Sequence, residues 1–424
     1  MFIIYDFIIL VVTLFYLPVY FFKRKFHSGF KMRFGFLPGG LELNRPIWIH
    51  AVSVGEAIAA KNLARGLRLL YPDKRFFIST VTQTGNKIAK SFATEKDFVA
   101  YFPLDLSFIV RSFVDKVNPS LFIVMETEIW PNLISYLYRK GTPVVLVNGR
   151  LSDRSFKGYR SIKFLLKPIL SKIKLFCVQT PVDGERLTRL GVDKERIRVT
   201  GNMKFDGADY SDKRIIDSAD KYRAILELGR DEKLWVCGST HSGEEEIILD
   251  VYRSLLGEFP ELKLLIAPRH PERAPEVGNI ISKFGFCAAF VSGLPLKQCN
   301  CISKPVFVLD VIGELIYYYN IASFVFVGGS LVRKGGHNIL EPASLGKPVI
   351  TGPHMFNFRD IAGLFIENKA ALLAYDKEEL WANMRDLLRN PGKITELNER
   401  ARSIILQNKG ATSANLKFIE TCIK

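Results

Sequence analysis

Short apolar runs alternate with amphipathic stretches along almost the whole chain, and that alternation sets the fold class. Pro46–Val52 (PIWIHAV) reads as a strand, Gly55–Leu70 as the helix after it, Arg75–Thr80 as the next strand and Gly85–Phe92 as the next helix. Leu121–Met125 (LFIVM) and Pro143–Asn148 (PVVLVN) are continuous apolar runs of the kind buried on both faces. The same rhythm restarts after residue 207, with strands predicted at Leu234–Cys237, Leu262–Ala267, Pro305–Leu309, Phe324–Val327 and Pro348–Thr351. Unbroken apolar strands separated by helices imply parallel sheets covered on both sides, an α/β fold. The charged segment Asp206–Arg223 separates the halves, giving expected domains of 23–206 and 207–424. Two doubly wound halves predict ligands at the carboxyl ends of the strands, facing a cleft between domains.

Residues 1–22 break the rhythm. MFIIYDFIILVVTLFYLPVYFF is nearly all apolar apart from Asp6 and Thr13. About 20 helical residues just cross a bilayer core, so the run is expected to be a membrane anchor. Its positive charges follow it (Lys23, Arg24, Lys25, then Lys31 and Arg33), unlike those of a cleavable signal, and the positive-inside bias puts the bulk of the chain in the cytoplasm. Asp6 and Pro18 weaken the spanning alternative and leave a helix lying in the interface open.

Composition narrows the partners. The chain has 424 residues, 48% of them hydrophobic, enough to bury two full cores. A formal charge of +16 favours acidic partners: nucleic acid, anionic lipid or phosphorylated small molecules. No zinc-finger spacing, RNP-like aromatic motif or clean basic helix supports nucleic acid, so a membrane surface and an anionic substrate are the expected partners. The cysteines (177, 237, 287, 299, 301 and 422) form no CxxC pair and read as reduced cytosolic thiols.

The candidate chemistry sits where strands end. His50-Ala51-Val52-Ser53-Val54-Gly55-Glu56 spans a strand-to-helix transition and puts Glu56 in the first helical turn. Taken alone, Glu56 is equally well an acid favoured by the helix dipole. Met125-Glu126-Thr127-Glu128-Ile129-Trp130-Pro131 places two acids directly after a buried strand, where charge needs a partner. They can fix an acceptor hydroxyl or assist proton transfer, while Glu128 is equally placed to cap the next helix. Gly201-Asn202-Met203-Lys204 sets a lysine at the crossing between halves, where it can neutralise a phosphate or carboxylate.

In the second half Gly238-Ser239-Thr240-His241, Pro268-Arg269-His270, Ile312-Gly313-Glu314 and Gly328-Gly329-Ser330 each follow a predicted strand. Gly335-Gly336-His337-Asn338-Ile339-Leu340-Glu341-Pro342 runs glycines into a helix start, where backbone N–H groups make a phosphate site without a metal. Glu341 can then accept ribose hydroxyls. His241, His270, His337 and His354 raise a metal cluster as a competing reading, but none shows i, i+4 spacing. No DxD-type acid pair follows a strand, so basic and helix-terminal groups, Arg269 foremost, are expected to stabilise a leaving phosphate.

These segments, with Asn148–Ser152, resemble in order and spacing those of the 3-deoxy-D-manno-octulosonic acid (Kdo) transferases of lipopolysaccharide synthesis, over nearly the whole chain. The resemblance implies a GT-B glycosyltransferase with two Rossmann-like domains, inverting, free of metal and cofactor, on the cytoplasmic face of the bacterial inner membrane. It implies that the first half takes the lipid A precursor and the second takes CMP-Kdo. On that resemblance Glu56 matches the general base, and Glu126 and Lys204 match positions that stabilise the transition state. Pro268, Arg269, Ile312, Gly313, Glu314, Asn338, Ile339, Leu340 and Glu341 match the CMP-binding segments.

Three rivals remain at this level. A GT-B transferase using a UDP-sugar shares the architecture but not the combination of Glu56 with Glu126–Pro131. A sugar-nucleotide epimerase or hydrolase on the same fold needs no lipid anchor. A catalytically silent membrane scaffold has no need of intact acids at the matched positions.

Overall fold

The structure is a computed structural model; it describes residues 2–22, 29–41, 43–208, 213–293 and 304–423, with the backbone alone at 2, 16–22 and 208. The basic flank Lys23–Lys25 and the pair Cys299 and Cys301 lie outside the described residues. The chain forms two compact units, residues 1–207 with 408–424, and residues 208–407.

The first unit carries a parallel sheet of β1 (Ile47–Ala51), β2 (Phe76–Thr80), β3 (Phe98–Tyr101), β4 (Leu121–Met125), β5 (Val144–Gly149), β6 (Leu175–Val178) and β7 (Ile197–Val199). Their order is β3-β2-β1-β4-β5-β6-β7, so the winding reverses between β1 and β4. β1 and β4 are buried along their whole length, as their unbroken apolar sequences require. Trp48 of β1 anchors one face through edge contacts to Phe77 and Phe122 and a tilted contact to Phe113. On the other face the helix Val54–Leu70 presents Ala57, Ala60, Leu63, Ala64 and Leu67, the 3.6-residue stripe that a sheet-packed helix needs.

The second unit repeats the plan with β8 (Lys233–Thr240), β9 (Leu262–Pro268), β10 (Cys287–Phe290), β11 (Pro305–Val308), β12 (Phe324–Val327), β13 (Val349–Thr351) and β14 (Leu372–Leu373). All pairings are parallel, in the order β10-β11-β9-β8-β12-β13-β14, and the reversal falls between β8 and β12. In open sheets of this kind ligands bind beyond the carboxyl ends at such reversals. The pairs β1/β4 and β8/β12 therefore mark where each unit's chemistry belongs.

Two expectations change here. The second domain was expected to run to residue 424, but residues 408–424 return to the first unit. The cause is a docked helix, Ala411–Glu420, whose start is capped by Asp206: the Oδ1 atom accepts from Gly410 N at 2.7 Å and the Oδ2 atom from Thr412 N. Asn415 donates to Thr200 Oγ1 at 3.0 Å, and Ile419 is fully buried in the first unit's core. Ile419→Ala is expected to cost about 2–4 kcal/mol, read as a lower urea midpoint with an unchanged slope. The reduced-thiol expectation holds for the buried, free Cys177, Cys237 and Cys422, whereas Cys287 is disulfide-bonded.

The N-terminal helix Phe2–Phe22 is tied to the first unit by its one acid. Asp6 Oδ1 accepts from Ser107 N at 3.0 Å and from Asn132 Nδ2 at 2.7 Å. Leu106 supplies no side-chain cap to the helix Ser107–Val117, so Asp6 caps it from another element. Among the described residues no helix is long and apolar enough to cross a membrane.

Candidate functional site

At the reversal of the first sheet the chain after β1 and the chain after β4 bring together three acids and a lysine. Ser53 closes β1 in extended geometry and starts the helix with a capping box. Its Oγ accepts from Glu56 N at 3.3 Å; the Glu56 carboxylate accepts from Val52 N at 2.8 Å and Ser53 N at 3.2 Å. Each carboxylate oxygen spends one lone pair on the backbone and keeps another. Glu56 is 5% exposed, and burial, then the charge of Glu126, holds its carboxyl above the usual range; the bonds from Val52 and Ser53 offset part of that. A fixed, partly desolvated carboxylate with a spare lone pair is suited to take a proton from a hydroxyl.

Glu126 follows β4 directly and is held at φ +56°, a left-handed conformation costly for a residue with a side chain. Lys204 Nζ lies 3.1 Å from its Oε1. The lysine is placed by a small network: Asn148, buried at φ +56°, accepts from Met203 N at 3.0 Å, and Asn202 Oδ1 accepts from Lys204 N at 3.0 Å. The stem of Lys204 passes beside Gly55, where an added Cβ would make ordinary contact with Lys204 Cε at 3.6 Å. The unit thus presents a general-base candidate beside an ion pair that can respond to developing charge.

Glu128 is the residue whose importance the sequence understates. It makes no cap: the helix Pro131–Arg139 begins at Pro131 without a side-chain cap bond. Burial, then the charges of Glu56 and Glu126, push its carboxyl up to about 7. A proton retained in the folded state stabilises it below about pH 4.5, and this contribution is lost as pH rises through about 7. Glu128→Gln is therefore expected to gain about 1–2 kcal/mol over wild type near pH 8 and almost nothing near pH 4, read by thermal denaturation. His50 belongs to the core instead: it is fully buried, stacked on Phe102 at 3.8 Å, bonded to Ser79 Oγ at 2.9 Å, and lowered to about 3 by burial.

In the second unit the singled-out residues also lie at carboxyl ends. Pro268 ends β9 and Arg269 N donates to Thr240 O at 2.9 Å. Ile312, Gly313 and Glu314 form the turn after β11, with Ile312 86% exposed. Asn338 Oδ1 accepts from Leu340 N at 3.1 Å and its Nδ2 donates to Glu341 Oε1 at 3.2 Å. Ile339 and Leu340 are core side chains, so the polar groups they have for a ligand are in the backbone. The helix they open, Leu340–Ser344, is a single short turn. The preceding glycines have a packing reason: at φ +99° and +68°, a Cβ on Gly335 or Gly336 would collide with Asn357 or Met355.

Sequence reasoning missed what holds this end together. Glu244 is buried and accepts four backbone N–H bonds, from His241 (2.9 Å), Gly329 (2.7 Å), Ser330 (3.0 Å) and Leu331 (3.0 Å). It clamps the turn after β8 to the turn after β12. A signal existed in the run Glu244-Glu245-Glu246, since three acids after a Gly-Ser-Thr-His turn exceed what one helix start needs. His241 and His337 meet at 3.0 Å and His270 lies near, while His354 joins only through its backbone, donating to Ser330 O. Among the described residues no three His, Cys, Asp or Glu side chains are grouped to hold a metal ion.

Comparison with known proteins adds to this geometry. Residues 28–207 match the family model described as 3-deoxy-D-manno-octulosonic-acid transferase (kdotransferase). A 3-deoxy-D-manno-octulosonic acid transferase of Haemophilus influenzae is 38% identical over 88% of this chain and 86% of that protein. One of Chlamydophila psittaci is 31% identical over 99% of this chain and 97% of that one. Among solved structures, UDP-GlcNAc 2-epimerase from Neisseria meningitidis bound to UDP-GlcNAc gives a TM-score of 0.56 over 86% of this chain and 99% of that one. At 12% identity that likeness concerns the fold.

Proposed function

Because the chain belongs to the 3-deoxy-D-manno-octulosonic acid (Kdo) transferases, a glycosyltransferase family, we propose that it moves Kdo from CMP-Kdo to a hydroxyl of the lipid A precursor, as a GT-B-type inverting enzyme. The observation that carries the assignment of roles is the meeting of Glu56, Glu126 and Lys204 at the reversal of the first sheet. Glu56 removes the acceptor's hydroxyl proton as that oxygen attacks the anomeric carbon of Kdo. Glu126 and Lys204 form the adjoining ion pair that stabilises charge as the bond forms. Pro268, Arg269, Ile312–Glu314 and Asn338–Glu341 of the second unit hold the CMP portion. CMP departs as a phosphate monoester, a good leaving group that needs fixed cations and N–H donors rather than a metal.

The N-terminal helix serves this reading as an interfacial anchor at the cytoplasmic face of the inner membrane. Ile3, Ile4, Phe7, Ile8, Leu14 and Phe15 are exposed at helical spacing, while Asp6 holds the helix to the protein. Such a stripe suits the headgroup–acyl boundary of an anionic bilayer, which the charge of +16 also favours. Two measurements test the proposal. CMP should raise the melting temperature and UDP should not; the reverse favours a UDP-sugar enzyme. Deleting residues 2–15 should abolish flotation with anionic vesicles, and unchanged flotation removes the anchor.

A further inference from the structure

The reversal of the second sheet holds a pair that the transfer chemistry above leaves without a task. His241 follows β8 and His337 follows β12, and their Nε2 atoms are 3.0 Å apart with ring planes within 8°. A contact between two ring nitrogens needs one N–H and one bare nitrogen, so the neutral pair shares one hydrogen there. Both side chains are partly exposed, and the pair is accessible to a ligand.

The surroundings favour an anion. His270 stands 6.2 Å from His241, and Arg269, Arg273 and Lys334 all act on the pair electrostatically. The nearby acids are engaged elsewhere: Glu244 by four backbone N–H groups, Glu245 by Thr240 and Arg273 at 2.9 Å each, Glu276 by Arg273 at 2.8 Å, while Glu272 stands 3.7 Å from His270. Burial and then these cations hold His241 below its ordinary value and His337 down to about 4, so without an anion the pair is neutral near pH 7. An anion placed against it reverses the balance, because a close opposite charge favours the protonated imidazole by about 1–3 pH units.

We infer that the His241–His337 pair takes up one proton when the sugar nucleotide binds and donates it to the leaving phosphate. This rests on the reading that the second unit binds CMP-Kdo. The bond from the anomeric carbon of Kdo to the phosphate oxygen breaks and its electron pair stays on that oxygen. The phosphate, a monoanion as a diester, becomes a monoester and receives the imidazolium proton. The acceptor's hydroxyl proton passes to Glu56 as the new carbon–oxygen bond forms, and both groups re-equilibrate with water after release. Glu244 is the positioning residue, because it fixes the His241 backbone and the Gly329–Leu331 turn.

The test is calorimetric titration of CMP into the full chain near pH 7, in buffers of different ionisation heat. Wild type should take up between about a half and one proton per CMP bound. His337→Gln and His241→Gln should each bind CMP within about tenfold of wild type and lose the uptake. In transfer assays His337→Gln should lower kcat by about 10²-fold, leave the donor KM within a few-fold, and flatten the fall in rate at high pH. CMP binding to wild type without proton uptake, or uptake persisting in both variants, overturns the inference and leaves the CMP reading standing. Failure of wild type to bind CMP removes both.

Discussion

Glu56→Gln is expected to lower Kdo transfer by about 10²–10⁴-fold while CMP binding and the fold persist. The substitution separates two functions of one side chain. As a cap, Glu56 accepts from Val52 N and Ser53 N, and a glutamine oxygen retains one of these bonds. Losing the other costs about 1 kcal/mol, a small shift in melting temperature for a chain of this size. As a base, glutamine has no lone pair that takes a proton near neutral pH, and the rate falls. Steady-state rates alongside a CMP thermal shift read both. Transfer near the wild-type rate in the variant would sink the assignment of Glu56 as base.

Lys204→Met carries the second largest expected loss, about 10²–10³-fold in kcat. The change keeps the length of the stem beside Gly55 and removes the ammonium 3.1 Å from Glu126. Glu126 is then an unpaired, partly buried charge in a left-handed backbone, so stability should fall by about 1–3 kcal/mol. Adding Glu126→Gln should restore most of that stability and little of the rate. A double variant that recovers transfer to within about threefold of wild type would show the pair to be structural.

The two sheets were legible because their central strands are unbroken apolar runs that no other element accommodates. The edges were not. β3, β7, β10 and β14 are two to four residues long and lean on a neighbour for their conformation, so Ile197–Val199 or Cys287–Phe290 carries no signal of its own. The return of residues 408–424 was hidden for a related reason: an amphipathic helix does not name the sheet it covers, and Asp206 reads as linker until Gly410 and Thr412 are seen bonded to it. In the sites, motif order located Glu56, Glu126 and Lys204. What fixes them lies in residues without motif character, such as Asn148 holding Met203. Glu128 read equally as a cap and as a site acid because one acid before a helix is ordinary; the cost of crowding it beside Glu56 and Glu126 exists in three dimensions alone. Glu244 was only half legible: the run of three acids hinted at it, but which of them receives four converging amides is decided in three dimensions.

The most direct test is to incubate the purified full-length chain with CMP-Kdo and lipid A precursor, with and without Glu56→Gln, and to weigh the lipid product. The wild-type reaction should add the mass of at least one Kdo and release CMP in equal amount, and the variant should add almost none. An unmodified lipid in the wild-type reaction, or equal products from both proteins, would contradict the account.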